Sequence, residues 1–159
     1  MKNVVINILI IFSSIVCFSQ NYNEKNNFVG IWQADTTIEG SAWLDNYQFF
    51  ANGNFIFNFN EYDSNKRLDC LKGKYRLSKD TMYLIVENIV EVTDGKLTRG
   101  ATSWEDEWLL KNIKTHEIKN TDLTEYKVQL SSCNYKSLMP CIVFDNRKYF
   151  KLKNDPNDY

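Results

Sequence analysis

Apolar and polar residues alternate with period two along much of this chain, the pattern of strands that bury one face and wet the other. Phe55, Phe57 and Phe59 alternate with Ile56, Asn58 and Asn60, and Leu71, Gly73, Tyr75 and Leu77 with Lys72, Lys74 and Arg76. Met82, Leu84 and Val86 alternate with Thr81, Tyr83 and Ile85, and Thr124, Tyr126, Val128 and Leu130 with Glu125, Lys127 and Gln129. Turn residues fall between these runs. Ala51-Asn52-Gly53-Asn54 holds an Asn-Gly pair that tolerates positive φ; Ser78-Lys79-Asp80, Asp94-Gly95-Lys96 and Asp145-Asn146-Arg147-Lys148 are similar punctuation. Short strands joined by tight turns predict an all-β fold, an antiparallel sandwich or barrel. The candidates for its interior are Trp32, Phe55, Phe57, Phe59, Tyr75, Leu77, Leu84, Val86, Tyr126 and Val128.

Residues 102–113 fit two patterns. As a helix, Thr102 and Glu105 form a capping box, acids precede Lys111 and Lys114 in the sense of the dipole, and Trp104 and Trp108 share a face. As a strand, Trp104, Asp106 and Trp108 share a face instead, and the surrounding strands favour this reading.

The alternation is absent from the first residues. Lys2 is followed by the apolar run Val4 to Val16, and Cys17-Phe18-Ser19 places small residues one and three positions before a cut that leaves Gln20 first. The run is shorter than the roughly 20 residues that cross a bilayer. Residues 1–19 are therefore expected to be a cleaved signal peptide and the protein periplasmic or secreted. A lipid anchor on Cys17 is the alternative, although the β-branched Val16 suits lipoprotein processing poorly. Residues 20–27 are expected as a flexible lead-in, 28–153 as one barrel domain and 154–159 as a polar tail.

Export changes the reading of the cysteines, because disulfides persist in oxidising compartments. Cys133 and Cys141 are the natural pair, closing a short loop that contains Pro140; pairing of Cys70 with either stays open, since spacing does not determine connectivity. Charge changes little. Loss of Lys2 with the leader takes the basic count from 19 to 18, against 20 acids. That balance lacks the basic footprint of a nucleic-acid binder. No second long apolar segment follows the leader, so no transmembrane span is expected after cleavage.

Gly30-Ile31-Trp32 opens the first strand after the leader, followed by Tyr47 to Phe50, by Asn52-Gly53-Asn54-Phe55, by Gly73 to Leu77 and by Asp80 to Leu84. This order resembles the lipocalin-like domains of small exported bacterial proteins over most of residues 28–152, and the resemblance implies an antiparallel up-and-down β-barrel of about eight strands. The resemblance implies that Trp32, as the tryptophan of a Gly-x-Trp motif, lies across the barrel bottom with Arg147 stacked on it. It also matches Thr121-Asp122 to a Thr-Asp-Tyr motif, with Leu123 where tyrosine is expected. A small hydrophobic ligand at the open end of the barrel is the function it implies.

Catalytic chemistry finds little support. His116 is the single imidazole, between Thr115 and Glu117, and no Gly-x-Ser-x-Gly elbow accompanies it. One histidine and scattered cysteines do not make a zinc site, and no calcium loop is present. Neither enzyme activity, metal nor cofactor is expected. The expected function is that of an exported, non-catalytic binding protein, with a small hydrophobic ligand held by Trp32, Phe55, Phe57, Tyr75 and Tyr126 inside the barrel. The alternative is a protein-interaction or inhibitor module of the envelope. Its contact would be the acidic, aromatic segment with Trp104, Asp106 and Trp108.

Overall fold

In the computed structural model of the chain, the described residues are 27–38, 43–63, 66–99, 108–133 and 139–159. The expected leader and nearly all of the expected lead-in lie outside them. Nine strands carry the fold: β1 (Gly30–Ala34), β2 (Asn46–Phe49), β3 (Asn54–Asn58), β4 (Leu68–Ser78), β5 (Thr81–Arg99), β6 (Trp108–Lys119), β7 (Glu125–Ser132), β8 (Cys141–Phe144) and β9 (Arg147–Lys153). All pairings are antiparallel. Eight strands close a barrel in the order β1-β2-β3-β4-β5-β7-β8-β9, with β9 returning to β1 through pairs from Ile31 with Lys153 to Ala34 with Tyr149. Closure leaves no edge along most of the wall.

The ninth strand, β6, belongs to β5. One edge of β5 is shared end to end: Thr81–Ile85 pair with β7, and Asn88–Arg99 pair with β6. The last pair of β4 with β5 is Leu68 with Glu91. Beyond it, residues 92–99 and 108–115 continue as a two-stranded ribbon that leaves the barrel at one end, here called the ribbon end. The Asp94-Gly95-Lys96 segment, expected as a turn, is a correction: it lies within β5, where the register shifts on both sides of Asp94 mark a bulge. Asp94 accepts from the Gly95 N–H and pairs with Lys114 on β6, so the segment bends the ribbon without ending the strand. The other expected turns stand. Gly53 and Lys79 hold positive φ between β2 and β3 and between β4 and β5. Asp145 and Asn146, at φ 50° and 62°, form the two-residue turn between β8 and β9.

Inside, the alternation delivers a nearly unbroken aromatic layer. Tyr47 is its hub, with Phe49, Phe55, Phe57, Phe144 and Tyr149 at centroid distances of 4.6–6.2 Å. Each such side chain contributes roughly 1.5–3 kcal/mol by leaving water, with a further increment from edge-to-face geometry. Phe28 plugs the end opposite the ribbon: it stacks on Trp32 at 5.1 Å, meets Phe49 at 4.9 Å, and its carbonyl accepts the Trp32 Nε1–H at 2.8 Å. The Cys133–Cys141 disulfide closes the loop between β7 and β8 at this same end. Residues 102–107 of the ambiguous segment lie outside the described residues, whereas 108–113 are strand.

The outward face of β1 and β2 is buried as well. Ile31, Gln33, Asn46 and Gln48 are all buried although they alternate with inward residues. Ile38 and Leu44 lie over part of this face: Gln33 donates to the Ile38 carbonyl and accepts from the Leu44 N–H. The closing segment, expected as a polar tail, packs back on the barrel, with Pro156 buried and Tyr159 stacked on Trp43 at 5.3 Å while its hydroxyl donates to Glu61.

Gly30 sits where only glycine fits, at φ +134° with its missing Cβ pointing 2.2 Å from the Lys153 carbonyl oxygen. Gly30→Ala is expected to lower stability by about 1–3 kcal/mol or more, read as a reduced urea midpoint. Reduction of the Cys133–Cys141 bridge, or its replacement by two alanines, is expected to cost about 2–3 kcal/mol on loop-entropy grounds, seen as a lower thermal midpoint with the strand signal in circular dichroism intact before unfolding.

Candidate functional site

Trp32, Phe55 and Tyr75, expected to line a ligand cavity, are buried against one another and their neighbours in a single packed cluster, with Phe57 set against it. They fill the barrel. The Tyr75 hydroxyl donates to the Phe50 carbonyl, so its polar atom is also satisfied within the protein. Tyr126 needs correction. It is paired with Leu84 and shares its inward face, yet it is 54% exposed, because β7 reaches the rim at that point. The five residues therefore divide into four that plug the interior and one that stands at its mouth.

That mouth is at the ribbon end. Phe57, Leu71, Ile89 and Ile118 are cross-strand neighbours on the inward face of β3, β4, β5 and β6. The row begins packed against the core at Phe57 and ends at Ile118, which is 38% exposed. Val86 lies between this row and Tyr126, and Leu123 is exposed in the loop that joins β6 to β7. Asn120 ties that loop to β5 by donating to the Val86 carbonyl, and Asp122 accepts from the Thr124 N–H and hydroxyl. The Thr124 hydroxyl bond holds the Asp122 carboxyl below its usual range. Apolar surface thus runs out of the core onto a braced rim.

Across the rim the chemistry is ionic. Arg147 donates to Asp35 Oδ2 from Nε at 2.9 Å and from Nη2 at 2.6 Å, and its Nη1 bonds Asp45. The hydrogen bond to Asp35 is the main cause that pushes the guanidinium further into its charged state. Asp45 also accepts the Asn60 N–H, so one arginine fastens the start of β9 to the end of β1, to the start of β2 and, through Asp45, to the segment after β3. A cleft of about 530 Å³ opens beside it, lined by Asp45, Phe59, Asn60, Asp63, Lys66, Arg67 and Leu68. Phe59 meets Phe57 edge-on at 5.0 Å, connecting the cleft to the inner layer.

Arg147 does not stack on Trp32, which corrects the expected pairing. The cation nearest that indole is Lys151, its cross-strand partner, 5.9 Å from the ring centroid and donating to the Asn27 carbonyl. Burial lowers the Lys151 pKa. Thr121-Asp122 sits in the loop at the ribbon end, remote from Trp32, and forms no part of the plug.

His116 is exposed on β6 opposite Glu91. Cys70 is free and buried, and burial pushes its thiol up to about 11, where it is a poor nucleophile at neutral pH. Among the described residues no three His, Cys, Asp or Glu side chains gather to hold a metal ion, and no helix is long and apolar enough to cross a membrane. Trp104 and Asp106 lie outside the described residues. Trp108 opens β6 through its backbone pairing with Arg99, and its side chain likewise lies outside the description. Alternation in the sequence could not separate mouth from interior, because Tyr126 and Tyr75 occupy equivalent positions in the pattern. The Arg147, Asp35 and Asp45 cluster carried no local signal, since Arg147 lies 112 and 102 residues along the chain from the two acids.

Comparison with known protein families, with curated proteins and with solved structures finds no match to this chain.

Burial raises the hydroxyl pKa of Tyr47, and of Tyr149 to about 12. An unfolded tyrosine ionises near its ordinary value of roughly 10, so the folded state binds the proton more tightly. The stability this represents is complete below pH 10 and is lost as pH rises toward 12. Urea midpoints measured from pH 8 to 12 are expected to fall steeply above 10, and Tyr149→Phe to make that fall shallower.

Proposed function

We propose that this protein is an exported, non-catalytic binding module of lipocalin-like type, taking a small apolar ligand at the ribbon-end mouth of its barrel. One observation carries the reading. The inward apolar row from Phe57 to Ile118, with Val86 and Tyr126 beside it, passes from the core to partly exposed positions on one rim, while Phe28 plugs the other end. The ligand would lie on the packed core, not within it, so a short or flat apolar molecule suits the site. Export is supported by Lys2 and the Val4–Val16 apolar run, and by the Cys133–Cys141 bridge, which suits an oxidising compartment. A second reading, a protein-contact role, is favoured by the ribbon of residues 92–99 and 108–115, which extends past the last β4 pair and whose two strands flank the Trp104–Trp108 segment in the sequence.

The test is titration of the processed protein with the apolar dye N-phenyl-1-naphthylamine. Saturable fluorescence enhancement is expected at micromolar dye, weakened at least fivefold by Tyr126→Asp and by Ile118→Asp, with thermal midpoints within a few degrees of the parent. Equal binding by all three chains, or no saturable binding, would remove the mouth as the site and leave the ribbon reading standing.

A further inference from the structure

Among the described residues the barrel wall is incomplete along β7. The β7 strand pairs with β5 from Glu125 to Gln129, but β8 covers only its last three residues, Leu130, Ser131 and Ser132. The reason is the tight turn at Asp145-Asn146, which sends the chain back as β9 before β8 can reach the start of β7.

The exposed length of β7 is an ordered edge. The Leu130 N–H donates to the Asp80 carbonyl at 2.6 Å. Hydrogen-bonded and non-bonded pairs alternate in an antiparallel ladder. The groups of Val128 and Tyr126 therefore point to β5 with that of Leu130, and the N–H and C=O of Lys127 and Gln129 point the other way. Ser131, paired with Val143, points the same way and is covered by β8. Among the described residues Lys127 and Gln129 have no strand paired with them on that side, and the turn residues Asp145 and Asn146 lie beside them. A cleft of about 330 Å³ lies beside them, lined by residues that include Lys127, Val128, Gln129, Val143 and Asp145. Val128, which packs against the core, and Val143 are its apolar lining residues. The Lys127 ammonium is exposed with no ion-pair partner among the described residues, whereas its neighbour Glu125 is held by Arg76 at 2.9 Å.

We infer that this notch is a strand-addition site for an extended peptide, which pairs antiparallel with β7 and places an acidic residue opposite Lys127. Main-chain hydrogen bonds to Lys127 and Gln129 supply the affinity, and alternate side chains the specificity. Residues of the peptide opposite Val128 and Tyr126 face inward and need to be apolar; the residue opposite Lys127 faces outward and needs a carboxylate. The site adjoins the dye-binding mouth at Tyr126 and differs from it in using the main chain of Lys127 and Gln129.

The probe is acetyl-Thr-Val-Glu-Val-Thr-amide, followed by amide hydrogen exchange of the processed protein. Without peptide, the Lys127 and Gln129 amides are expected to exchange at least tenfold faster than those of Tyr126 and Val128. With millimolar peptide they are expected to slow at least tenfold. Methylating the backbone nitrogen of the peptide's glutamate removes the hydrogen bond to Lys127 and is expected to weaken binding tenfold or more, while methylating its second valine, whose N–H faces away, leaves binding within about threefold. Lys127→Glu is expected to weaken binding severalfold without shifting the thermal midpoint. Amides already protected in the free protein, no slowing with millimolar peptide, or equal loss from both methylated peptides would each overturn the inference.

Discussion

The structure depends on the closure of short strands around one layer of aromatic side chains. The four residues of β2 and the five each of β1 and β3 could not hold together as a flat sheet with one face in water. Rings on Tyr47, Phe49, Phe55, Phe57, Phe144 and Tyr149 come from β2, β3, β8 and β9, and meet only when the first strand pairs with the last. Packing so dense leaves little room for a guest. Whatever this barrel binds must be met at its rim or its wall, and the polar devices of the fold gather there, from the Arg147 cluster to the braced loop at Asn120.

The barrel itself was legible because alternation is local. Period two, read with Asn52-Gly53, Lys79-Asp80 and Asp145-Asn146, gives the strands, their turns and their inward faces before any tertiary information enters. The same logic misjudged Asp94-Gly95, where a turn-forming pair sits in a strand held straight through by Lys114 on β6. Local chemistry there asked for a turn and cross-strand pairing prevailed.

The site was far less legible, for two physical reasons. Depth in a barrel is a property of strand ends, so Tyr75 and Tyr126 look alike in sequence and differ in exposure from buried to half exposed. Long-range partners leave no periodic trace either: Arg147 finds Asp35 and Asp45, and Tyr159 finds Trp43, only after the chain has closed. The resemblance to lipocalin-like domains directed attention to Trp32 and Arg147, and Trp32 does plug the end opposite the ribbon. Arg147 serves at the other end, and Lys151 takes the place beside the indole.

The closing seam between β1 and β9 joins Ile31 to Lys153, nearly the whole length of the domain apart. A chain emerging from synthesis cannot complete that seam until its final strand is free. Until then the open edge of β1 and the rings behind it face solvent. Topology of this kind folds slowly, so rigidity comes only with the last strand.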